Sequence, residues 1–147
     1  MPVFINADIR PMSQQEFSLI AYHVMDHAFS IHQDLGRFFD EDIYRDALAA
    51  RLQGANTEVR IEVRFDDFVK DYFIDLLVGE GAAFELKAAR DLSEIHRSQM
   101  LNYLLLAGLT HGKLINFRTD SVQHEFVNCH QSLASRRTFQ VEKCEWR

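Results

Sequence analysis

Residues 72 to 90 read YFIDLLVGEGAAFELKAAR: two apolar runs joined by a glycine-bracketed turn, with Asp75, Glu85 and Lys87 set among Phe, Ile, Leu and Val. This stretch constrains the fold most, because a slip of one residue in strand pairing sends every side chain to the opposite face. With Gly79-Glu80-Gly81 as the loop, Val78 pairs with Ala82, Leu76 with Phe84, Ile74 with Leu86 and Tyr72 with Ala88. That face is almost wholly apolar. The other face then sets Leu77 against Ala83, Asp75 against Glu85 and Phe73 against Lys87. A loop one residue shorter would set Asp75 against Leu86 and Ile74 against Lys87, mixing charge with core on both faces. The longer loop is the expected register, and glycine-containing hairpin loops of that length are common.

This register puts two carboxylates side by side, about 5 Å apart at Cβ. Their repulsion is on the order of a few kcal/mol at an effective dielectric near 20. A shared proton or a divalent cation would relieve it. Lys87, two residues after Glu85, lies on the same face and offsets part of the charge. The plainer alternative is a solvated sheet face on which Lys87 pairs with Glu85, an arrangement worth little. Phe73 and Leu77 on that face point instead to a partly dry cleft.

Around this hairpin the pattern predicts an α/β domain. Ser13 and Glu16 form a capping box that opens a helix, along which Phe17, Ile20, Ala21, Val24, Ala28, Ile31 and Leu35 recur at helical spacing. Gly36 is expected to end it as a left-handed cap. A second helix is expected from about Asp40 to Gln53. TEVRIEVRF alternates, with Val59, Ile61, Val63 and Phe65 on one face, so a strand with one solvated face follows. DDFVKD reads as a turn. After the hairpin comes a helix from near Ser93, then strands at KLINF and QHEFVN. The expected order is α-α-β-β-β-α-β-β: one domain with a central mixed, mostly antiparallel sheet flanked by helices.

The chain has 147 residues, a formal charge of −6 and 47% apolar residues. That length suits one packed core, and the acidic balance argues against a protein that coats nucleic acid through a broad basic surface. The last stretch, SRRTFQVEKCEWR, is locally basic and reads as a solvated tail. Cys129 and Cys144 are too few for a disulfide framework, and no signal peptide or membrane span is expected, so a reduced cytoplasmic protein is the default. His23 and His27 stand four apart, but no cysteine or acid at supporting spacing turns them into a zinc site.

A strand bearing Asp, then a hairpin, then Glu-x-Lys on the next strand resembles the PD-(D/E)XK nuclease superfamily. IHQDLGRFFDEDIYRDAL, with Glu41 and Tyr44 as its Glu-x-x-Tyr element, resembles the N-terminal signature of one branch, the GxxExxY proteins. ELKAARDLSEIHRSQMLNYLLLAGL and KLINF match that branch's run of core, helix and strand. The resemblance covers roughly residues 16 to 128. Gly36-Arg37-Phe38 stands where a Gly-Pro-Gly-like turn is usual, and the chain from about Cys129 extends past the matched part.

The resemblance implies a restriction-endonuclease-like core in a single domain over 1–147. It implies a metal site of Asp75, Glu85 and the backbone carbonyl of Leu86, with Glu41 joining directly or through a bound water. Hard oxygen ligands suit Mg²⁺ or Mn²⁺. Lys87 would position or help deprotonate the attacking water, or stabilise the transition state. Gln99 and Tyr103, four apart on one helix face, resemble the Gln-x-x-x-Tyr element of RecB-like nucleases, and His96 lies one turn earlier on that stripe. The implied activity is divalent-metal-dependent hydrolysis of phosphodiester bonds, with DNA the first-choice substrate and no membrane involved. The alternative is a non-catalytic subunit that keeps the fold and binds nucleic acid, a protein partner or a second copy of itself. A site serving mainly stability is a third reading.

Overall fold

The computed structural model describes residues 2–130. The elements run β1 (Val3–Ile5), α1 (Gln14–Leu35), α2 (Glu41–Arg51), β2 (Ala55–Arg64), β3 (Val69–Val78), β4 (Ala82–Lys87), α3 (Glu94–Ala107), β5 (His111–Asn116) and β6 (Gln123–Asn128). They form an α/β domain around a six-stranded mixed sheet in the order β1-β2-β3-β4-β5-β6. Neighbours run antiparallel except β4 and β5, which are parallel and joined by α3. Helices cover both faces. Phe17, Ala28, Tyr44 and Leu48 of α1 and α2 pack with Leu76, Phe84, Leu86 and Ile115. Met100, Leu101 and Leu104 of α3 pack on the other face with Leu77, Ala83, Leu114 and Val127. The basic stretch from Ser135, Cys144 and most of the expected C-terminal extension lie outside the described residues.

Local chemistry places these elements. Ser13 Oγ accepts the Glu16 N–H at 3.1 Å, and the Ser13 N–H donates to Glu16 Oε1 at 3.3 Å, so α1 starts at its capping box. The Gly79-Glu80-Gly81 loop forms as expected, with Gly79 at φ +63°. At Gly81 a Cβ would lie 2.2 Å from the Arg10 carbonyl oxygen, so no larger residue fits beneath the chain that crosses there. Val78 pairs with Ala82, Leu77 with Ala83 and Leu76 with Phe84.

Several expectations need correction. The sheet begins with β1, which the pattern did not predict; three residues at an edge are too short for alternation to register. Gly36 takes φ 80° and ψ −160°, a positive-φ stop outside the left-handed helical region, with its N–H on the His32 carbonyl. Strand β2 ends at Arg64, leaving Phe65 outside it and 39% exposed, and β3 already begins at Val69, so the expected turn DDFVKD keeps only Asp66, Asp67 and Phe68. The β3–β4 ladder stops after Leu76–Phe84, so the expected pairs Asp75–Glu85, Ile74–Leu86, Phe73–Lys87 and Tyr72–Ala88 do not form as backbone pairs; Asp75 and Glu85 meet through their side chains instead. Beyond that point the two strands fork. Ile74 packs with Leu77 beneath α3, whereas Leu86 stays beneath α1 and α2.

Candidate active site

The fork between β3 and β4 is held open by the two carboxylates. The Asp75 N–H donates to Glu85 Oε1 at 3.0 Å, and the Leu86 N–H donates to Asp75 Oδ2 at 2.9 Å. Each acid thus takes over a backbone donor that a continued ladder would have satisfied. One oxygen of each carboxyl is engaged in this way, and the two carboxyls also hydrogen-bond to each other. The Lys87 carbonyl accepts from the Phe117 N–H on the β5 side at 2.9 Å. Consecutive strand residues alternate edges, so the Leu86 carbonyl lies on the β3 edge with its own N–H, facing the fork.

Glu85 is 3% exposed. Burial first, and the neighbouring Asp75 charge second, hold its carboxyl well above the usual carboxylate range. Lys87 acts in the opposite direction, but its ammonium is not bonded to either acid. Its Nζ donates to Gln99 Oε1 at 2.6 Å, and Gln99 Nε2 donates to the Tyr103 hydroxyl at 2.9 Å. The amide is oriented by a cation above it and a phenol below. Burial and the Glu85 charge push the Tyr103 hydroxyl up to about 12, so the phenol keeps its proton. Gln99, Tyr103 and Lys87 are therefore brought together.

His96 is nearby and also serves its own helix: its Nδ1 accepts the Ser93 N–H at 3.2 Å. Burial and Lys87 lower its pKa, while Glu41 raises it. Glu41 opens α2, is exposed, and stands near enough for its charge to reach His96. Among the described residues, no three His, Cys, Asp or Glu side chains come together as a ready metal cage.

Tyr44 positions the segment that carries Glu41. Its ring is fully buried and stacked on Phe117 at 4.3 Å between centroids. Its hydroxyl donates to the Gly36 carbonyl at 2.7 Å and accepts the Phe39 N–H at 3.2 Å. Arg45, one turn after Glu41 on α2, donates to Glu58 Oε1 at 3.1 Å and Asp46 Oδ1 at 3.0 Å. No motif singled out Arg45 or Glu58; finding them requires knowing that α2 crosses β2.

Glu85 is buried and Asp75 half-buried at the strand fork, with Lys87 two residues beyond Glu85 on the same strand. The sequence profile of the PD-(D/E)XK nuclease superfamily matches residues 18–129. The chain belongs to that superfamily. No curated protein gives a significant match. Among solved structures, the crystal structure of SSO0001 is similar in fold, with a TM-score of 0.50 and 22% identity over 81% of this chain. The chain spans 65% of the length of that structure. Members of the superfamily are generally nucleases that hydrolyse phosphodiester bonds and typically use divalent metals. Among the described residues no helix is long and apolar enough to cross a membrane.

Proposed function

We propose that the chain is a divalent-metal-dependent nuclease of the GxxExxY branch, acting on DNA. The observation that carries this reading is the Asp75–Glu85 pair, with Glu85 buried and Asp75 half-buried. Two adjoining carboxylates, one 3% exposed, have Lys87 beside them, yet its ammonium is bonded to an amide. That donor set fits one hard cation: two carboxylates and the Leu86 carbonyl would hold Mg²⁺ or Mn²⁺, with waters completing its coordination and Glu41 reaching one of them. Such an ion supplies Lewis-acid activation of water and neutralises charge on the phosphate. Lys87, held by Gln99, would orient the attacking water or the scissile phosphate. Tyr103 keeps Gln99 in the orientation that receives Lys87. The branch assignment rests on Glu41 and Tyr44 with their flanking segment. A cytoplasmic setting fits the two cysteines, and a protein partner or a second copy would supply substrate contacts that so acidic a chain lacks.

A cleavage panel tests this. DNA and RNA substrates, single- and double-stranded, are incubated with Mg²⁺ or Mn²⁺ and the parent, Asp75→Ala or Lys87→Ala chain. The expected result is metal-dependent cutting of DNA by the parent, lowered at least ~100-fold in both variants. No cutting of any substrate, with nucleic-acid binding retained, would favour the non-catalytic subunit instead.

A further inference from the structure

Glu58 is the one non-glycine residue with positive φ among the described residues, at φ 50°. It sits in the middle of β2. The ladder pairs Thr57 with Leu76 and Val59 with Ile74, so Glu58 stands opposite Asp75. A regular strand would put the two side chains on one face with Cβ atoms about 5 Å apart. Three carboxylates, from Glu58, Asp75 and Glu85, would then line up across β2, β3 and β4.

Glu58 instead departs from regular strand geometry, and its carboxylate is taken up by Arg45, which also feels the charge of Asp75. A left-handed glutamate costs roughly 1–2 kcal/mol in backbone strain, so something must hold it. Arg45 does so through its 3.1 Å bond to Glu58 Oε1, with its own side chain only 18% exposed. The strain coincides with a change of sheet face: Leu76 packs beneath α1 and α2, but Val59 and Ile74 pack beneath α3. Asp75 in turn directs its N–H to Glu85.

We propose that Arg45 is a positioning residue of the metal site, which through its ion pair with Glu58 keeps a third carboxylate away from Asp75. This rests on the metal-binding reading above. Two acids and a carbonyl leave a cation partly hydrated and open to water and phosphate. A third acid would bind the ion more tightly and take a position that the reaction needs.

The test is Mn²⁺ titration of the full chain, followed by the electron-spin signal of free Mn²⁺ and independent of cleavage. Glu58→Gln should bind Mn²⁺ within about threefold of the parent, because Glu58 is not a ligand. Arg45→Gln should bind it at least about tenfold more tightly, as the freed carboxylate turns inward. The double variant should return to within about threefold of the parent. Arg45→Met repeats the measurement should Arg45→Gln fail to fold. If Arg45 acts only by its long-range charge, the double variant keeps the tightened affinity and the proposal is wrong. It is equally wrong if Arg45→Gln binds as the parent does. A parent that binds no Mn²⁺ overturns the metal reading and this inference with it, whereas the other failures leave the metal reading standing.

Discussion

Lys87 gives its ammonium to Gln99 at 2.6 Å and not to Glu85, two residues away on its own strand. An ammonium bonded to a neutral amide is not paired with a carboxylate and stays available to an incoming phosphate. Gln99→Leu should therefore release Lys87 toward the carboxylates. Cleavage should fall by about 10- to 100-fold, with the loss in kcat more than KM, because a positioned charge acts mainly on the transition state. Far-UV circular dichroism should match the parent. A Gln99→Leu chain with parental kcat would mean that this contact does not position Lys87.

Glu85 makes stability depend on pH with a definite sign. Its folded carboxyl lies well above the usual value, because burial and Asp75 penalise its charge. The unfolded chain therefore ionises first as pH rises. The contribution is fully present below the ordinary carboxylate value and is lost as pH climbs through the raised folded value. Without metal, the parent should lose stability relative to Glu85→Gln on going from about pH 5 to about pH 8. Mg²⁺ should reverse the trend, raising the melting temperature more at the higher pH, since only the ionised pair binds it. Parallel melting curves for the parent and Glu85→Gln across pH would remove the basis for this coupling.

Much of this site could be read from the sequence, and the reason is alternation. Leu76, Leu77, Val78, Ala82, Ala83 and Phe84 admit one clean register, and the structure has it. What lay beyond reach was the point where the ladder ends. The expected Ile74–Leu86 pair presumed that backbone would continue to meet backbone. Asp75 and Glu85 instead insert their own oxygens between the strands. Local pattern cannot reveal that substitution, because it depends on which edge of β4 is already bonded to β5. Glu58 was hidden for a similar reason. It alternates properly in TEVRIEVRF, and only the crossing of α2 brings Arg45 to it.

Tyr44 offers a test of how the Glu41 segment is held. Its hydroxyl bonds both the Gly36 carbonyl and the Phe39 N–H, which flank the turn into α2. Tyr44→Phe keeps the stack on Phe117 and removes both bonds. Stability should fall by about 1–2 kcal/mol, since two backbone groups lose a buried partner. Hydrogen exchange of the Phe39 amide should accelerate, and cleavage should fall together with the order of Glu41. Unchanged exchange at Phe39 would show that the turn holds without the hydroxyl.

Helix α3, which carries Gln99 and Tyr103, is tied to β6 by an ion pair. Arg97 donates to Glu125 on β6 through Nε at 2.7 Å and Nη2 at 2.9 Å, a two-pronged pair. The arginine bond, more than any other cause, holds the Glu125 carboxyl below its usual value. A depressed carboxyl contributes stability that is present above the ordinary value and lost as pH falls through the folded one. The side chains remain 25% and 32% exposed, so solvent screens the pair. Arg97→Gln should cost only about 1 kcal/mol near neutral pH, read from urea unfolding, and less under acid. α3 is also fixed by Met100, Leu101 and Leu104 in the core, so the Lys87–Gln99 contact should survive. Cleavage by Arg97→Gln should then stay within about threefold of the parent, in contrast to Gln99→Leu on the same helix. Equal losses in the two variants would mean that helix placement, and not the Gln99 amide, sets the activity.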